Sequence, residues 1–203
     1  MDPYERWIET WSQVGAAPPD GLIQQLVAAY GESHRAYHTV RHLAECFGHL
    51  DPCPVRPSDP AALELALWFH DAIYDTKAAN NEERSAAWAR TALASLSQAS
   101  LDRIEKLILV TKHEAAPSSP DEELLLDVDL SILGSADERF DEYESQIRQE
   151  YSWVPEEAYR MARAQILAQF QSRPALYQTP YFRDTLETQA RRNLRRSLDS
   201  LAA

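Results

Sequence analysis

Apolar positions recur along the chain at intervals of three and four residues, with no sustained alternation of apolar and polar residues. That periodicity predicts helices and no sheet. Asp20 reads as an N-cap, opening a helix through Tyr30 that Gly31 stops. Residues 37–50 form a second candidate. Asp59-Pro60 opens a third, with Asp as the cap and Pro in the first turn. It runs through Leu63, Leu65, Leu67, Trp68 and Phe69 to about Tyr74, and its apolar character on nearly all sides marks it as the central, most buried helix. Further helices are expected at 81–96, 101–113, 120–133, 136–151, 155–171 and 180–201, with Ser100, Ser119 and Thr179 as caps. The connectors at 51–60, 115–120 and 172–174 are short enough to be loops. The expected fold class is all-α, a bundle-like arrangement of about seven to ten helices.

Length fits one domain, since the 203 residues stand at the upper end of the usual domain size. Thirty-two Asp and Glu against twenty Lys and Arg give a net charge of −12. Such a field repels phosphates, so neither a nucleic acid polymer nor an anionic membrane is an expected partner. A small phosphorylated substrate stays open, because a bound metal inverts the local field. No apolar run approaches a membrane span, and Met1-Asp2-Pro3-Tyr4-Glu5 lacks the features of a signal peptide, so the expected compartment is the cytoplasm. Cys46 and Cys53 read as free thiols. Trp7, Trp11 and Trp153 read as packing residues. The acid-rich stretch 137–157 and the arginines 183, 191, 192, 195 and 196 read as solvated faces that pair with each other.

The residues that carry chemistry are His38, His42, His70, Asp71, Asp127 and Asp129. His38 and His42 stand at i and i+4 of a predicted helix and so share a face. Asp127 and Asp129 interrupt an apolar run, where an ionised carboxylate is unfavourable unless paired, hydrogen-bonded or bound to a metal. If both are helical they diverge by about 200°, so they cannot face one metal together. Imidazoles with carboxylates suit a borderline divalent cation: Mn, Fe, Co, Ni, Zn or Mg are not distinguished.

The order His42, His70-Asp71, Asp129 on an all-helical chain resembles the HD-domain superfamily of metal-dependent phosphohydrolases. Four segments, 37–43, 68–75, 81–86 and 126–134, are similar to the bacterial group of predicted metal-dependent HD phosphohydrolases, the likeness extending over residues 33–177. The resemblance implies a single HD-type helical domain and His42, His70, Asp71 and Asp129 as metal ligands, with Asp127 as the competing fourth. Segment 37–42 is similar to the segment of cyclic nucleotide phosphodiesterases that begins Tyr-His-Asn and supplies a catalytic His and, four residues later, a ligand His, with Thr39 in place of Asn, which implies His38 as a general acid. Segment 70–76 resembles the His-Asp-x-x-Glu-Asp-Thr segment of guanosine tetraphosphate hydrolases, with Tyr74 in place of Glu, and implies Asp75 as a group that orients water.

The expected activity is hydrolysis of a phosphoester or phosphoanhydride of a small metabolite, a nucleotide foremost; the alternative is a non-catalytic nucleotide-sensing module retaining the fold. Arg35, Arg41 and Lys112 are candidates for holding phosphate. His113 is a candidate second-metal ligand or substrate contact, and Glu82, with Glu83, a candidate member of the site. His34 and His49 read as surface residues.

Overall fold

The structure, a computed structural model, describes residues 2–202. Their regular structure is entirely helical, so the all-α expectation holds. In chain order the helices are α1 (Pro3–Val14), α2 (Leu22–Tyr30), α3 (Val40–Leu50), α4 (Pro60–Phe69), α5 (Asn81–Ala92) and α6 (Gln98–Val110). They continue with α7 (Pro120–Asp129), a short 3-10 helix (Leu130–Gly134), α8 (Asp137–Glu150), α9 (Glu156–Ser172) and α10 (Pro180–Ala202). No described helix is long and apolar enough to cross a membrane.

α4 is the axis of the bundle. The Asp59 carboxylate accepts from Ala62 N–H at 3.0 Å, Pro60 fills the first turn, and every residue from Ala62 to Phe69 is buried. One of them, Glu64, is charged, and α1 neutralises it: Arg6 lies 3.0 Å away, while Thr10 and Gln13 donate to its two oxygens. Trp7 and Trp11 of α1 pack in the core, Trp7 edge-on to Trp68 at 5.4 Å. The sequence pattern did not predict α1, because its apolar stripe is little more than those two tryptophans.

Several boundaries differ from expectation, each for a local reason. Gly21, at φ 72°, rather than Asp20, opens α2. Thr39 caps α3 by accepting from Arg41 N–H, so Tyr37 and His38 precede the helix and the i, i+4 helical pairing of His38 with His42 is corrected. α4 stops at Phe69 and does not reach Tyr74. Ser97 rather than Ser100 caps α6. Trp153 is 51% exposed, its indole N–H donating to Thr76 Oγ1, so it is not a core residue. Ser119 caps α7 as expected, and Thr179 Oγ1 accepts from Phe182 N–H in the first turn of α10. Arg192 and Arg196 of α10 pair with Asp137 of α8, and Arg196 also with Asp141; Arg183 holds a backbone carbonyl, and Arg191 holds two while pairing with Glu187 of its own helix.

Candidate metal centre and cavity

Three chain segments end at one point. His42 comes from the first turn of α3, His70-Asp71 from the C-terminus of α4, and Asp129 from the last residue of α7. Their donor atoms converge. His42 Nε2 lies 3.1 Å from His70 Nε2, 3.5 Å from Asp71 Oδ2 and 3.3 Å from Asp129 Oδ1. His70 Nε2 lies 3.1 Å from Asp71 Oδ2 and 3.5 Å from Asp129 Oδ1. Both histidines are buried.

This donor set fits a divalent cation. Ligand atoms about 2.1 Å from one ion sit about 3.0–3.4 Å from one another, close to the 3.1–3.5 Å that separates the two histidine nitrogens from each other and from the carboxylates. His70 Nδ1 lies 2.8 Å from the Leu67 carbonyl oxygen. That contact assigns the proton to Nδ1 and leaves the Nε2 lone pair facing the cluster. Burial alone would raise the Asp129 carboxyl pKa, yet the imidazoles of His113, His42 and His70 around it hold it well below the usual range. Asp71 is lowered in the same way, chiefly by His70 and His38, and His70 is correspondingly raised against its own burial by Asp71 and Asp129. The two partly exposed carboxylates demand positive charge, which imidazole protons or a cation can supply. Cys46, one helical turn beyond His42 on α3, adds a buried sulfur 3.7 Å from both His42 nitrogens.

His113 reaches the cluster from the end of α6, with Nε2 3.3 Å from Asp129 Oδ2, the oxygen the other histidines leave free. Its φ of 57° places it in the left-handed region, which is strained for a residue with a side chain and recurs at functional positions. Its Nδ1 is buried and no described residue hydrogen-bonds to it.

His38 flanks the cluster and is held from behind. Its Nδ1 lies 2.7 Å from Glu150 Oε2, and Tyr74, stacked on its ring at 4.1 Å, donates its hydroxyl to the same oxygen. Glu150 Oε1 accepts the backbone N–H groups of Ala36, Tyr37 and His38 at 2.8–3.0 Å. Burial favours the neutral form of both side chains, but their pairing wins. Glu150 falls from the ordinary carboxylate range to about 2, and His38 rises, with Asp71 as its largest upward influence. Sequence reasoning missed Glu150, one acid among many in α8. It also missed Arg163 on α9, which lines the cavity in front of the cluster.

That cavity has a volume of about 490 Å³. His38, Asp71, Glu82, Lys112, His113 and Asp129 line it, so these candidates share one site. Others do not. Asp75 faces a different groove with its carboxylate accepting from Lys77 N–H, which corrects its expected place beside the histidines. Arg41 is half-exposed and pairs with Glu45 and Glu142 away from the cavity, so it is not positioned for substrate. Arg35 is buried and donates to the carbonyls of His38, Asp71 and Ala72 at 2.7–3.1 Å; it ties the histidine-bearing segments together instead of facing a phosphate. Asp127 turns away from Asp129 and accepts from Gln178 N–H, Thr179 N–H and Thr179 Oγ1 at 2.6–2.7 Å. His34 is exposed, and His49 is half-buried near Phe182. No family model, curated protein or solved structure matches the chain.

Proposed function

We propose that this chain is a metal-dependent phosphohydrolase of the HD type, acting on a phosphoester or phosphoanhydride of a small metabolite such as a nucleotide. One observation carries the reading: the Nε2 atoms of His42 and His70 lie 3.1–3.5 Å from each other and from carboxylate oxygens of Asp71 and Asp129, and those two carboxylates line a cavity that His38 also lines. Those four side chains would hold the cation. When bound, a divalent ion supplies positive charge against a phosphoryl oxygen and acidifies water.

The chain's own residues do the rest. Glu150 fixes His38 through Nδ1, so Nε2 is the nitrogen left to give a proton to the leaving oxygen. Asp71 and Glu150 raise the His38 pKa against its burial, which favours the protonated ring. Leu67 fixes the His70 tautomer, and Arg35 holds the backbone on either side of the site. Lys112 stands on the cavity wall as the cation nearest solvent.

The test is chromatographic turnover of a panel of nucleotides, cyclic nucleotides and small phosphate esters with Mn²⁺, alongside metal analysis. Asp71→Ala should lose bound metal and fall to background. His38→Ala should keep its metal and lose about 10²–10⁴ in kcat, the usual contribution of a general acid. Unchanged metal content and turnover in Asp71→Ala would sink the reading.

A further inference from the structure

We propose that the cavity selects a phosphate monoester with an apolar or aromatic body, and that Glu82 excludes polyphosphates. The proposal rests on the hydrolase reading for where the phosphate sits, at the His/Asp cluster. It adds what the rest of the cavity reads.

Both cations on the cavity wall already have anionic partners. Lys112 Nζ lies 2.7 Å from Glu83 and 3.5 Å from Glu114. Arg163 is buried, bonds Glu144 and donates to the Tyr143 hydroxyl at 2.9 Å. The N-terminus of α5 also reaches the cavity, and a free helix N-terminus attracts anions. Here its first turn is filled by Glu82 and Glu83. Glu82 lines the cavity, half-buried, and among the described residues no Lys, Arg or His forms an ion pair with its carboxylate. A triphosphate chain extending from the cluster would therefore meet an unpaired carboxylate and no free cation, and such like-charge contact discriminates strongly.

Part of the cavity wall is apolar. Leu130, Ile132, Ile147, Ile166 and Phe170 line it, with the Phe170 ring 5.9 Å from His113. An apolar wall with a few convergent polar groups is suited to a ring-bearing ligand. One phosphate at the metal donors and a ring against Phe170 match the two halves.

The experiment uses the full chain at fixed free Mn²⁺ and measures both calorimetric Kd and kcat/KM for two pairs of probes. Adenosine monophosphate against adenosine triphosphate varies the phosphate number. 1-Naphthyl phosphate against glycerol 3-phosphate varies the body. The expected result is preference for the monophosphate and for the naphthyl ester, each by at least about tenfold. In Glu82→Gln the triphosphate should bind more tightly and the first gap should narrow. Equal or inverted preference in either pair overturns the proposal, as does absence of binding by all four. The expected binding order without any turnover supports the proposal and overturns the hydrolase reading.

Discussion

Glu150 is the residue on which the geometry of His38 depends. It accepts three backbone N–H groups, the His38 ring nitrogen and the Tyr74 hydroxyl from a buried position. Its folded pKa, about 2, lies below the ordinary 4.5. The stability it contributes is therefore present above 4.5 and lost as pH falls toward 2. His38 is raised, so its share is complete below its ordinary 6.5 and lost as pH rises through its folded value. Their joint contribution is greatest between 4.5 and 6.5. Glu150→Gln should destabilise the fold by about 1–3 kcal/mol in that window, because it leaves buried donors imperfectly matched. Urea unfolding at a series of pH values would show it; an acid limb as steep as the wild type's would contradict the assignment. None of this was legible in the sequence. His42, His70, Asp71 and Asp129 stood out because imidazoles and carboxylates sat among core residues. Glu150 closes an acid-rich helix and differs from its neighbours only in what folds over it. The misplacement of Asp75 has the same root: beyond Phe69 the chain turns where a continued helix was expected, and side-chain direction follows the backbone.

Among the elements, the 3-10 segment Leu130–Gly134 decides where α7 ends and hence where Asp129 points. The change from α-helix to 3-10 helix tightens the winding to about three residues per turn directly after Asp129. α10 clamps the segment: Asn193 donates to the carbonyls of Leu133 and Ser135, and Gly134 packs directly against Leu186. A Cβ at Gly134 would lie 2.6 Å from Leu186 Cβ and 3.1 Å from Leu186 O. Gly134→Ala should therefore cost about 1–3 kcal/mol through overpacking, visible as a lower urea midpoint at unchanged slope. A wild-type midpoint would mean that α10 can shift aside freely. The broad order of helices from α2 to α10 was legible in the apolar periodicity and in the caps Asp59 and Ser119. Ends were less so, because a cap depends on backbone geometry: Gly21 and Ser97 displace Asp20 and Ser100 as openers, and serines lie at both 97 and 100.

At the scale of the molecule, the net charge of −12 makes the cluster more demanding of a cation than its local geometry alone suggests. Surface ion pairs between α8 and α10 are solvent-screened and contribute little. Asp71 and Asp129, by contrast, face two buried histidines at the meeting point of α3, α4 and α7. A cation bound there ties three otherwise separate segments together and binds the folded state alone. At 100 times its Kd it should add about 2.7 kcal/mol of stability. For a chain of this size, each kcal/mol moves Tm by about 2–4 °C. Removing the metal with a chelator should thus lower Tm by about 5–10 °C, and added Mn²⁺ should restore it. Asp71→Ala serves as the internal control, since its Tm should respond to neither. Raising the salt separates this effect from general charge repulsion: screening weakens the exposed pairs and leaves a buried coordinated ion nearly untouched. A wild-type Tm that ignores both chelator and Mn²⁺ would mean that the histidines supply the missing positive charge themselves, as protonated partners of Asp71 and Asp129, and that the cluster is a structural ion-pair network.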